Sequence, residues 1–242
     1  MSSNMNGFEY ETTVIEAIRE AGFSGNITKG AGASAAAADA DFFLNGKTHL
    51  VEVKLNSKAQ MGGSSVRFER GHAELVKSTG EDVEELLLGM VESLGKPLRA
   101  LLRRLSELEG KNLTRFPLRC TKEHWTMAQN EGLLVNAKIS ADISFIAKHY
   151  RSKGVNYIQF GDAGLFHLGS NPAKLPVPKL AGTVKLEVRT ARSGSKIISG
   201  SEDEKVTGAI RVQGRLSLTA QSDYTLDDAR SIRVMFGALK QG

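Results

Sequence analysis

Apolar residues Phe8, Val14, Ile15 and Ile18 recur at near-helical spacing and stop at Gly22, which predicts a first helix over Phe8 to Ala21. From Asp39 to Lys54 the period shortens to two, and Asn45-Gly46 interrupts it with the residue pair best suited to the positive φ angles of a type I′ hairpin turn. A two-residue turn there sets Asp39 opposite Glu52, with Asp41 diagonal to it. Asp39, Asp41, Glu52 and Lys54 then share one face, and Phe42, Leu44, Val51 and Val53 supply the other. Carboxylates facing each other across a strand pair destabilise it. A divalent cation, Lys54 or a raised carboxylate pKa are the candidate compensations.

Beyond Lys54 a polar, Gly/Ser-rich stretch carries Lys58 and Gln60, near enough in sequence to line the same cleft, and Ser65 to Phe68 reads as a short strand. Two Leu-rich stripes predict helices over Glu81 to Leu94 and Pro97 to Leu108, joined at Gly95-Lys96-Pro97. Thr121 to Asn130 and Ser140 to Tyr150 read as further helices, the second with Ser140 as N-cap. The tail alternates instead: Tyr157 to Phe160, Leu165 to Leu168, Val184 to Arg189 and Ala209 to Leu218 are expected strands. Lys185, Glu187 and Arg189 are expected to face water. Three prolines between Asn171 and Pro178 mark the best internal boundary. The expected division is therefore a core over residues 1–170 with a helical insertion near 72–153, and a β-rich C-terminal elaboration over 171–242.

With 242 residues and 40% hydrophobic content the chain can bury a full core. No run approaches the ~18 apolar residues of a membrane span, and the first residues lack a signal-peptide pattern, so a cytoplasmic protein without a membrane partner is expected. Cys120 is the single cysteine, and the five histidines lack ligand spacing, which argues against disulfides and zinc. The net charge of +5 makes an acidic polymer the first partner to consider. Basic residues gather around Arg99, Arg103 and Arg104, around Lys148 and Arg151, and around Arg189 and Arg192. For any one of these a solvated face is the favoured reading. Gly30 to Ala38 lacks the Gly-Lys-Ser/Thr of a phosphate loop and reads as a connection.

The stretch Asp41-Phe-Phe-Leu followed by Glu52-Val-Lys54 resembles the core of the PD-(D/E)XK nuclease superfamily, with Ala40 where the name-giving Pro would stand. Glu11 to Phe23, an acidic helix closing at Gly22-Phe23, and the small-residue loop Gly30 to Ala38 are similar to the Holliday-junction-resolvase branch. The resemblance covers about the first quarter of the chain and ends near Lys54. It implies an α/β, restriction-endonuclease-like core, a central mixed sheet flanked by helices. It also implies a Mg²⁺-dependent deoxyribonuclease acting as an endonuclease, with Mn²⁺ as a substitute ion. Asp41, Glu52 and Lys54 would be catalytic, and Asp41 and Glu52 would hold metal with Glu11, whose promotion rests on the resemblance alone. Asp39 and Gln60 are additional candidates. Lys58, Arg189 and Arg192 are the residues expected to meet DNA, double-stranded or branched, and a homodimer is compatible with this reading. The alternative is a non-catalytic nucleic-acid-binding or structural protein, with Glu52 and Lys54 as an ion pair beside a basic β surface.

Overall fold

The computed structural model describes residues 5–24, 38–58, 60–76, 91, 94–196 and 205–237. The elements in chain order are α1 (Gly7–Ala21), β1 (Ala40–Leu44), β2 (Lys47–Lys54), β3 (Gln60–Glu69), β4 (His72–Leu75), α2 (Gly95–Glu109), β5 (Arg115–Phe116), β6 (Leu118–Thr121), α3 (Lys122–Asn130), β7 (Asn136–Asp142), α4 (Ser144–Ser152), β8 (Val155–Phe160), β9 (Gly164–His167), β10 (Gly182–Lys196), β11 (Lys205–Leu218) and α5 (Ala229–Met235). The protein is mixed α/β. It divides into two compact units, one formed by residues 1–59, 141–184 and 215–242, the other by 60–140 and 185–214.

The first unit is built on a four-stranded sheet of order β1-β2-β8-β9. β1 and β2 form the expected hairpin: Asn45 and Gly46 sit at φ 53° and 74°, and the register pairs Ala40 with Val51, Asp41 with Leu50 and Phe42 with His49. β2 runs parallel to β8, and β8 antiparallel to β9, so the sheet is mixed. Parallel neighbours require a long crossover, and residues 55–154 supply it. Helix α1 is closed at its start by a reciprocal box between Asn6 and Glu9 (3.0 and 2.8 Å) and at its end by Gly22 at φ 88°.

Its buried stripe, Tyr10, Val14, Ala17 and Ile18, forms one core with Phe42, Val51, Val53 and Tyr157 from the sheet and with Ile232 and Met235 from α5. Inside that core Gln159 is fully buried. Its side chain donates toward Tyr10 Oη (3.0 Å) and Thr225 Oγ1 (2.9 Å), and accepts from Leu226 N (3.0 Å). The chain after β9 is therefore tied to the sheet through satisfied polar groups as well as apolar area.

The Pro-rich stretch from Asn171 to Pro178 lies within the first unit, and its Ala173, Leu175 and Val177 are buried in the same core. The division into units accordingly falls at positions other than residue 171. Ser140 is a strand residue and caps no helix. The apolar run there belongs to β7, with alternating burial, and α4 begins only at Ser144, whose N–H donates to Asp142 Oδ1 at 2.8 Å. Pairing into a sheet outweighs local helix preference at such a junction.

The second unit carries a sheet with β4-β3-β11-β10-β7 in order, β5 pairing with β3 and β6 with β11. Helix α2 buries Leu98, Leu101, Leu102 and Leu105, the stripe its sequence predicts. The region near 72–153 thus contains helices, as expected, but also β4 to β7, short strands whose patterns are too brief to read alone. The helix expected over Glu81 to Leu94 lies, apart from Val91 and Leu94, outside the described residues. Along β10, Val184, Leu186 and Val188 are buried and Lys185 is exposed, as expected, whereas Glu187 and Arg189 are half-buried.

Candidate active site

The alternation of β2 separates two chemistries on one strand. Val51 and Val53 enter the core under α1, and Glu52 and Lys54 point to the other face, beside Ile158 and Phe160 of the parallel neighbour β8. Helix α4 packs on β8, and its buried Tyr150 donates a hydrogen bond to the Glu52 carboxylate. Asp39, just before β1, accepts from Val53 N at 2.9 Å and lies 3.6 Å from Lys54 Nζ. Lys54 Nζ bonds Glu52 Oε1 directly. The end of β2 is held by a close approach: Gly161 N donates to Lys54 O at 3.1 Å, and a Cβ at Gly161 would fall 2.5 Å from Leu55 O, so only glycine fits there. Ser57 adds two bonds to Asp162, at 2.6 and 2.8 Å.

The electrostatics follow from crowding carboxylates around one ammonium in a poorly hydrated place. Burial pushes Glu52 above the ordinary carboxylate range, Lys54 pulls it back, and Asp39 pushes it up again. Burial also raises Glu11, with Asp39 and Glu52 adding and Lys54 opposing, so α1 brings Glu11 within electrostatic reach of the cluster. Burial works to strip Lys54 of its proton, but Glu52, Asp39 and Glu11 outweigh it and hold the ammonium above its usual range. Tyr150 is raised by burial and then by Glu52.

Two of the three compensations open to the facing carboxylates are therefore present, the lysine and the raised pKa. Among the described residues no group of three or more His, Cys, Asp or Glu side chains is close enough to hold a metal ion. Asp41 is buried and shares the face, two residues further along and opposite Leu50.

The remaining sequence candidates are dispersed. Lys58 is exposed beyond β2, its N–H closing a turn on Asn56. Gln60 opens β3, and its side chain, like that of Arg192, lies outside the described residues. Arg189 is half-buried, and its enclosed Nε has no hydrogen-bond partner among the described residues. Tyr150 and Asp162 are the site residues that sequence reading missed. Tyr150 ends an amphipathic helix, where an aromatic residue reads as core, and its hydroxyl contact spans the sheet. Cys120 is buried and its thiol pushed up to about 11, consistent with packing.

Comparison of the chain with models of known families, with curated proteins and with solved structures gives no match. What defines the class is therefore the architecture itself, a mixed α/β protein with a carboxylate–lysine–tyrosine cluster on one sheet face. Among the described residues no helix is long and apolar enough to cross a membrane.

The raised Glu52 makes stability depend on pH. Below about pH 4.5 the carboxyl is protonated folded and unfolded. As pH rises the unfolded chain releases its proton first, so the folded state binds more protons and loses stability until the raised folded value is passed. Lys54 keeps its proton throughout, and Asp39, Glu11 and Tyr150 are the other groups facing Glu52. In EDTA, the melting temperature of wild type minus that of Glu52→Gln should fall as pH goes from 4.5 to 8. A difference that rises over that range would show that Glu52 is net stabilised as a carboxylate.

Proposed function

We propose that the chain is a metal-dependent DNA endonuclease with a restriction-endonuclease-like core, hydrolysing phosphodiester bonds at the β1–β2 face. The observation that carries this reading is the convergence of Asp39, Glu52, Lys54, Tyr150 and, within electrostatic reach, Glu11 on one end of a mixed sheet. Asp41 shares that face and remains a candidate. The donors are oxygen-only, and three carboxylates exceed the single ammonium, a charge balance suited to a hard divalent cation such as Mg²⁺ or Mn²⁺. Among the described residues no three such side chains stand close enough to hold an ion, so this reading requires Glu52, Asp39 or Asp41, and Glu11 to draw together on it. When bound, such an ion polarises a phosphoryl oxygen and makes a water more acidic. Lys54, kept protonated by its neighbours, supplies positive charge where the phosphoryl group gains negative charge; it is a poor base. Tyr150 fixes the Glu52 carboxylate by its hydroxyl.

The bond between Lys54 and Glu52 also favours a second reading, in which the pair is structural and the protein binds nucleic acid without cutting it. A plasmid-nicking assay separates them. The nuclease reading expects relaxed circles with Mg²⁺ and none with EDTA. Supercoiled plasmid unchanged in Mg²⁺ and Mn²⁺ would leave the structural reading.

A further inference from the structure

The second unit contains a cleft of about 520 Å³ between α2 and the β3–β4 turn, whose lining includes Arg70, Arg99 and Arg103. Arg99 and Arg103 lie one turn apart on α2, on the same stripe. The Arg99 guanidinium runs beside the turn: a Cβ on Gly71 would sit 3.7 Å from its Nη1. Arg70 occupies the first central position of that two-residue turn at φ 50°, followed by Gly71 at φ 88°. Asn or Gly would take this left-handed backbone at less cost than a long cationic side chain, so the choice of Arg calls for a reason beyond the turn.

Among the described residues the charges in the cleft are uncompensated. No acidic side chain stands among its described lining residues. Arg104, one position along α2, is fully engaged instead: its Nε and Nη2 meet Glu131 at 2.9 and 3.0 Å, and its Nη1 meets Glu107 at 3.1 Å. Arg99 and Arg103 carry no such pair among the described residues. A solvated basic stripe lies on a convex face; here three guanidiniums from two elements converge on a concavity. Its lining also holds buried Leu102 and half-buried Leu113, with half-buried Ser106 and exposed Asn112 and Thr114. Forked donors suit phosphate oxygens, and an apolar lining suits the face of an unstacked base.

We propose that this cleft is a nucleic-acid site of the second unit, taking the phosphodiester backbone and a base of a single strand. It transfers the DNA-facing role from Arg189 and Arg192 to Arg70, Arg99 and Arg103. It needs a polyanion only, and stands whether or not the first unit cleaves.

The test is fluorescence anisotropy of a labelled single-stranded oligonucleotide with the full chain in EDTA, where cleavage does not enter. Arg99→Gln with Arg103→Gln should weaken binding at least about tenfold and flatten the slope of log K against log salt by about 1.4, the share of two phosphate contacts to a single strand. Both side chains are exposed, and circular dichroism should show an unchanged melt. Arg104→Gln should bind as wild type. Millimolar AMP should leave the oligonucleotide bound. Wild-type affinity and slope in the double variant would overturn the proposal, as would loss of binding in Arg104→Gln alone. Complete displacement by AMP would make the cleft a mononucleotide pocket instead, and overturn it too. Plasmid nicking without this arginine dependence would refute the cleft alone; arginine-dependent binding without nicking would refute the nuclease alone.

Discussion

Replacing Lys54 by Met is expected to lower Mg²⁺-dependent DNA cleavage by at least ~100-fold, the usual loss when one donor aimed at transition-state charge is removed. Met retains much of the apolar stem and deletes only the ammonium that bonds Glu52 and lies 3.6 Å from Asp39. The same change leaves the Glu52 carboxylate, whose side chain is 11% exposed, without its cation. Stranding one partner of a buried pair costs about 3–5 kcal/mol if the charge stays. At pH 8 the variant should therefore melt below wild type, and the deficit should shrink toward pH 5 as Glu52 takes up a proton. Cleavage is best compared at low temperature, where both proteins are folded. Full activity in the variant would sink the assignment of Lys54, whatever its effect on melting.

Phe42→Ala should lower the unfolding free energy by about 3–5 kcal/mol, a large share of the roughly 5–15 kcal/mol that holds a domain together. Phe42 is fully buried, and its ring centroid lies 4.9 Å from that of Phe236, 5.1 Å from His49 and 5.5 Å from Tyr157. These three neighbours come from three separate stretches of chain, so truncation opens a cavity that no single side chain can refill. Urea denaturation followed by circular dichroism would measure it. A loss under about 1 kcal/mol would mean that the ring is not the keystone of this core. Because Phe42 and Asp41 are adjacent on β1 and face opposite ways, the variant also tests coupling: nuclease activity should fall only where the protein melts.

Much of the first unit is legible in the sequence, because its determinants are local. The helix from Gly7 to Ala21 follows from its apolar spacing and from Gly22, and the hairpin register follows from Asn45-Gly46, whose positive φ angles leave few other turns. Alternation then suffices to gather Asp39, Asp41, Glu52 and Lys54 on one face. That Lys54 and a raised Glu52 offset the repulsion could be listed in advance only as options, since the balance depends on how deeply the site is buried.

What only tertiary structure decided is every relation between distant segments. Tyr150 reaches Glu52 because β8 pairs parallel to β2 and carries α4 with it, a pairing with no local signature. Asp39 bonds the end of β2 through Val53 N, a matter of backbone path that alternation leaves open. Asn136 to Asp142 becomes a strand although its end reads as a helix start, because sheet partners supply what propensity does not. The basic residues show the same limit most plainly. Arg99, Arg103 and Arg104 are near neighbours in sequence with equal formal charge, yet Glu131 and Glu107 neutralise the last while the first two line a cleft. Charge is a property of composition, but its availability is set by which carboxylates the fold brings within reach.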